Sequence, residues 1–342
     1  MAITRTNSRR NGGNGCHLNS QASLNAYVKS ICDIMRRSNC AGALQYVPEL
    51  TWMLFPRILD EREEREAEEA AALGVPFTPS LSSPYRWRDW ASPQGSKRRE
   101  LQMGVMGGFM NFVNNELLPY LRSLGDRPGA TLRQAVISQV FATVERTRID
   151  TERNLLDILD KVDALSGERV EETHMFPLSQ VYEGLLLKMG EKNNDGGQFF
   201  TPREVIRVMV RVVDPKIDQT VYDPCCGTGG FLAQAYEHMR PQATTASDLE
   251  LLKTATFYGK EKENLVYPIA LANLVLHGID APHIWHGNTL TGMASHGALF
   301  ADAPAQFDVV LTNPPFGGKE SKDARANFPY KTGATQVLFL ST

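Results

Sequence analysis

Cysteine is scarce in this chain of 342 residues. The five present, Cys16, Cys32, Cys40, Cys225 and Cys226, contain no C-x-x-C pair and their number is odd. That pattern argues against a disulfide framework or a zinc ribbon, and it favours the reducing cytoplasm. Long apolar runs are missing too. None approaches the roughly 18 residues that cross a bilayer, and Leu24–Met35 is broken by Lys29 and Asp33. Residues 1–20 are basic at the start but have no apolar segment, so they read as a disordered leader, not a secretory signal. Positive charge is not in excess: 36 Lys+Arg against 39 Asp+Glu give a net charge of -3. Bulk charge therefore does not hold a phosphate backbone, and contact with DNA calls for a local patch or a partner. His283 and His286 have the spacing of metal ligands, but no cysteine or acidic cluster accompanies them, and no metal site is expected.

The length suggests two domains, and the pattern divides accordingly. Residues 21–166 read as helical. Leu24, Tyr27, Val28, Ile31, Ile34 and Met35 recur at helical spacing, and a similar stripe runs from Pro48 to Leu59. Asp60–Glu69, with seven acidic residues and two arginines, reads as a solvated extension of that helix. Gly74–Pro93 reads as a loop with Trp87 and Trp90 as anchors. The basic residues around it leave two options, a face toward nucleic acid or burial of the tryptophans. Helices over Leu132–Val144 and Thr151–Leu165 lead to a boundary at Ser166-Gly167.

Residues 167–342 change character. A helix over Leu178–Met189 precedes the polar Gly-rich loop Lys192–Gly197. Thr201 and Pro202 read as the N-cap and first residue of a helix running through Val212. Strand-like segments at Thr220–Asp223, Ala255–Gly259, Ile284–His286 and Phe307–Thr312 then alternate with helical ones, the pattern of a parallel α/β sheet.

Three signals carry chemistry. Asp223-Pro-Cys-Cys-Gly-Thr-Gly-Gly-Phe231 follows an apolar strand, and its glycines allow a tight turn close to a ligand at a helix start. Leu232 stands where a dinucleotide fingerprint needs its third glycine, and no P-loop is present. An acidic residue before the glycines suits a ligand carrying a cation or an amine. The second signal is Glu261, at the end of the next strand, a carboxylate able to accept both ribose hydroxyls of a nucleoside. The third is Asn313-Pro-Pro-Phe316. Its two prolines stiffen a turn, its Asn oxygen and Pro314 carbonyl can accept the hydrogens of an exocyclic amine, and Phe316 offers a stacking face.

With these residues in view, the sequence resembles the modification (methyltransferase) subunits of type I restriction-modification systems, which are adenine-N6 DNA methyltransferases. The resemblance rests on Gly197-Gln-Phe-Phe-Thr-Pro202, Asp223–Leu232, Gly259-Lys-Glu261, Leu271–Gly278, Gly287-Asn-Thr-Leu290 and Asn313-Pro-Pro-Phe316, across residues 178–342. It implies a Rossmann-like S-adenosylmethionine-dependent domain after an all-helical N-terminal domain. It further implies that Gln198, Phe199, Phe200, Thr201 and Pro202 border the cofactor. Asp223 with Gly227, Thr228, Gly229, Gly230 and Phe231 would hold the methionine part, and Glu261 the ribose. Asn313, Pro314, Pro315 and Phe316 would receive a flipped adenine. Asn288 departs from the aspartate usual in the family, keeping an acceptor for the cofactor adenine. The implied partners are DNA, a specificity subunit, a second methyltransferase subunit and a translocase/nuclease subunit, with no membrane.

The sequence stops within an incipient helix after the fourth strand. The expectation is an incomplete sheet with Val309–Leu311 at an open edge, and little activity for this chain alone. The alternative is a non-catalytic remnant that binds cofactor or assembles with partners. A release-factor glutamine methyltransferase also uses an Asn-Pro-Pro-aromatic turn, but Phe316, the Gln198–Pro202 motif and the long helical N-terminus argue against it.

Overall fold

The computed structural model describes residues 21–38, 40, 43–164, 201–291, 298–300, 303–315, 326, 328 and 335–339. The leader, the Ser166-Gly167 boundary, the helix at Leu178–Met189, the loop at Lys192–Gly197, and Gln198, Phe199, Phe200 and Phe316 lie outside the described residues.

The N-terminal half is helical: α1 (Gln21–Arg37), α2 (Ala43–Ala72), α3 (Trp87–Trp90), α4 (Ser96–Met103), α5 (Gly108–Phe112), α6 (Leu118–Arg122), α7 (Leu132–Phe141) and α8 (Glu152–Asp163). A π-turn over Val113–Leu117 joins α5 to α6. Local capping fixes the later starts. Thr131 and Gln134 form a reciprocal capping box at α7, and Thr151 accepts from the Asn154 N–H at α8.

Two sequence expectations change here. The acidic run is helical, but Asp60 and Glu63 are buried, not solvated. Asp60 meets Arg88 at 3.0 Å, and Glu63 Oε1 accepts the Ser80 N–H at 3.0 Å. The Gly74–Pro93 loop contains the short helix α3, and both tryptophans are buried, packed edge-to-face at 5.4 Å. The neighbouring basic residues are largely spent internally: Arg98 pairs with Asp160 at 2.6 Å and Arg86 with Asp60 at 3.4 Å. Burial, not a face toward nucleic acid, accounts for this stretch. Helices α4 to α6 escape the sequence reading because each is short and α4 is almost wholly polar.

The C-terminal half comprises α9 (Arg203–Val213), β1 (Val221–Asp223), α10 (Gly230–Met239), α11 (Ala246–Thr254), β2 (Phe257–Glu261), α12 (Tyr267–His277), β3 (His283–His286), β4 (Val309–Val310) and α13 (Thr335–Phe339). The strands are parallel in the order β3-β2-β1-β4, with Val221 opposite Phe257 on one side and Val309 on the other. After β1 the chain therefore steps outward through β2 to β3 and then returns to the far side of β1. The gap between the carboxyl ends of β1 and β4 is a topological switch point, the place where parallel α/β sheets bind ligands. Among the described residues β4 is an edge strand, with Val310 56% exposed.

Helix α12 locks the halves together. All its residues are buried, because α10 and β3 cover one side of it and α2 and α7 the other. Polar anchors flank this packing. Arg62 and Arg133 converge on Asp280, just past α12, at 3.0 and 2.8 Å, and Arg62 also donates to the Val275 carbonyl.

Candidate functional site

The turn after β1 is built by backbone geometry. Gly227 and Gly229 have φ of 54° and 77°, in the left-handed region where a side chain is strained. The Cys226 N–H donates to the Lys260 carbonyl at 2.9 Å, laying the turn across the end of β2, and the Gly229 N–H closes it on the Cys226 carbonyl at 2.8 Å. This path brings the Gly227 N–H to Glu261 Oε2 at 2.9 Å. The second oxygen of Glu261 accepts the Glu263 N–H at 2.7 Å.

Asp223 and Glu261 are both buried, and among the described residues neither has a lysine or arginine within ion-pair distance. Asp223 Oδ1 accepts from the Cys225 N–H at 3.2 Å and the Thr312 hydroxyl at 2.7 Å. Burial raises Asp223 to about 7, with the charge of Glu261 adding to the effect against the donors that oppose it. Burial likewise raises Glu261 to about 7, although several backbone donors favour its charged form. Each oxygen still has lone-pair capacity beyond its present partners.

From the other side, β4 delivers Thr312 and Asn313. The Thr312 hydroxyl bridges β4 to β1 by donating to Asp223 and meeting Cys225 Sγ at 3.0 Å. Cys225 Sγ also approaches the Asn313 carbonyl at 3.6 Å, and burial with the adjacent Asp223 charge raises its pKa, keeping it an S–H donor. Asn313 Nδ2 donates to Thr201 Oγ1 at 3.1 Å. This replaces the expected capping role of Thr201. The helix begins at Arg203 with Pro202 at the cap, and the Val205 N–H bonds the Pro202 carbonyl at 3.0 Å, leaving the Thr201 hydroxyl to Asn313.

The result is an open cleft at the carboxyl ends of β1 and β4. Of the residues singled out in sequence, Thr201, Asp223, Gly227, Thr228, Gly230, Phe231 and Asn313 line it. Glu261 is tied to it through Gly227, whereas Gly229 packs toward Leu274 of α12. Pro202 and Pro314 are the chain neighbours of lining residues, and Pro315 lies one residue further on. Asn288 stands apart from the lining, and its Oδ1 accepts the Leu290 N–H at 3.0 Å to start a 3₁₀ turn over Thr289–Thr291. Sequence reading missed Arg203, Ile206 and Thr312, and it did not single out Cys225, which also lines the cleft. The X-Pro turn offered a signal only for Asn313; nothing local marks the threonine before it. Both ring nitrogens of His283 face backbone carbonyls, and among the described residues no cluster of metal-ligating side chains occurs. Among them, too, no helix is long and apolar enough to cross a membrane.

Comparison with known proteins agrees with both halves. The HsdM N-terminal domain model matches residues 24–162, and the N-6 DNA Methylase model matches residues 174–338. A modification subunit from Vibrio vulnificus YJ016, assigned to a type I restriction enzyme, superimposes with a TM-score of 0.78 at 36% identity, over 94% of this chain and 67% of that one. The chain belongs to the type I restriction enzyme modification-subunit family. Among curated members, the EcoEI methylase subunit of Escherichia coli is 33% identical over 93% of this chain and 61% of its own length. The StySPI methylase subunit of Salmonella potsdam is 29% identical over 93% of this chain and 54% of its own length. The chain thus spans little more than half of the modification subunits it matches among the curated proteins.

Proposed function

We propose that this chain is the catalytic part of a modification subunit that transfers a methyl group from S-adenosylmethionine to the exocyclic N6 of an adenine in DNA. The observation that carries this reading is the shared cleft: Asn313, from the end of β4, faces the same space as Asp223 and the glycine turn from the end of β1. The chemistry of the donor set fits the cofactor. Two buried carboxylates with no lysine or arginine within ion-pair distance among the described residues favour a ligand bearing an amine and a sulfonium. Asp223 and the turn at Gly227–Phe231 would hold its amino-acid part, Glu261 its ribose, and Thr201 and Pro202 its near wall, with Gln198, Phe199 and Phe200 alongside. Asn288, whose Oδ1 accepts the Leu290 N–H, would border the cofactor base. Bound there, S-adenosylmethionine supplies an electrophilic methyl group.

The chain's own residues act on the amine. Adenine N6 is a weak nucleophile because its lone pair is delocalised into the ring. Among the described residues neither Asn313 Oδ1 nor the Pro314 carbonyl is bonded, so both remain to accept the two amine hydrogens. Paired acceptors favour a pyramidal nitrogen and stabilise the positive charge that develops there. Pro315 stiffens the turn and Phe316 stacks on the extruded base. DNA would be brought by a specificity subunit and a second modification subunit, with a translocase/nuclease subunit in the complete system, which accommodates a net charge of -3. The test is Asn313→Ala in the native complex. Methyl transfer should fall about a hundredfold or more, while calorimetric S-adenosylmethionine affinity stays within a few-fold. Retained transfer would sink the proposal.

A further inference from the structure

A primary amide presents an acceptor end and a donor end of nearly the same shape, and only the acceptor end suits an amine. Asn313 must therefore be turned the right way before it meets a base. Its Nδ2 lies 3.1 Å from Thr201 Oγ1, a residue 112 positions earlier in the chain, and both side chains line the cleft. The Thr201 hydroxyl is free for this contact because Pro202, which has no N–H, occupies the helix cap and supplies its own carbonyl to the Val205 N–H. The backbone of the same turn is fixed from the opposite wall. Cys225 Sγ faces the Asn313 carbonyl at 3.6 Å, and Thr312 is tied to Asp223 at 2.7 Å. With the main chain held on one side, rotation of the amide is the remaining freedom, and Thr201 is the group that meets it.

We propose that Thr201 is a positioning residue for base recognition: its hydroxyl oxygen accepts the Asn313 Nδ2–H and so presents Oδ1 to the exocyclic amine. The proposal deepens the functional reading above and rests on it. A hydroxyl can also donate to an amide oxygen, but that arrangement would set Nδ2 against the incoming amine, donor against donor. Productive geometry thus needs Thr201 as the acceptor. This role is separate from Thr201's place in the cofactor wall: it belongs to the hydroxyl and acts through Asn313.

The test uses the native complex, tritium-labelled S-adenosylmethionine and genomic DNA free of adenine methylation. Thr201→Val, nearly isosteric but without the hydroxyl, should lower kcat about tenfold or more and leave the cofactor KM within about twofold. Thr201→Ser should retain nearly the full rate. Thr201→Ala removes the hydroxyl without added bulk and carries the same expectation should the valine variant fail to fold. An unchanged kcat in both variants, a rise in cofactor KM alone, or a serine variant as slow as valine would each overturn the inference. Wild-type complex without Asn313-dependent transfer would overturn the functional reading and this inference with it. Asn313-dependent transfer indifferent to Thr201 would overturn the inference alone.

Discussion

Glu63, Glu66, Arg62 and Arg133 of the helical half form a largely buried network with Asp280 of the sheet half, with Arg133 2.7 Å from Glu66 and 2.8 Å from Asp280. In the sheet half, Asp223 and Glu261 are also buried, yet their partners are backbone N–H groups and a threonine hydroxyl. The pKa values register the contrast. Burial would raise Glu66, but Arg133 and Arg62 outweigh it and the carboxyl falls below its ordinary value. Burial raises Asp223 and Glu261 to about 7, and among the described residues neither has a lysine or arginine within ion-pair distance. A closed ion network joins the two halves, whereas Asp223 lines the cleft and Glu261 borders it through the Gly227 N–H. Glu49 sharpens the distinction. It is buried and raised by burial, but Trp52, Thr147 and the Arg148 N–H occupy its oxygens and it lines no part of the cleft.

The comparison breaks most readily at Arg133. Arg133→Ala leaves Glu63, Glu66 and Asp280 short of their shared cation, and it should cost about 3 kcal/mol or more of stability, read from urea denaturation. A loss below about 1 kcal/mol would make the network an ordinary surface feature. Asp223→Asn should do the reverse. Apo stability should hold or rise, because a buried ionisable group is removed, while calorimetric affinity for S-adenosylmethionine falls by about 2 kcal/mol. Unchanged affinity would remove Asp223 from the cofactor site.

The subtlest effect is in pH. Asp223 and Glu261 are raised above their unfolded values, so the folded chain retains protons that the unfolded chain releases between about pH 4 and pH 7. Their contribution to stability is therefore fully present below that window and is lost as pH rises through it. A bound cation reverses the trend, since it favours the ionised carboxylates. The rise in unfolding temperature on adding S-adenosylmethionine should thus grow between pH 6 and pH 8. A shift independent of pH across that range would show that the ligand does not meet these carboxylates.

Much of the architecture was legible because its signals are local. The apolar stripe of α1, the turn residues Gly227 and Gly229 with positive φ, and the X-Pro exit at Asn313 each act within a few residues of chain. Errors arose where a local rule met a tertiary one. Seven acidic residues within ten positions read as solvated, but Arg88 and Arg133 reach back from distant helices to bury two of them. Thr201 before Pro202 read as a cap, but Asn313 takes its hydroxyl. Thr312 carries no motif at all and matters only because β1 and β4 are neighbours.

By itself, then, the sequence determined the alternation of strands and helices, the tight turn after β1 and the stiff turn after β4, because backbone conformation is set by each residue and its immediate neighbours. Only the tertiary structure decided that these two turns face one cleft, that Thr201 meets Asn313 across it, and that Arg62 and Arg133 close on Asp280. Those contacts depend on strand order and helix packing, which bring residues together without regard to their separation along the chain.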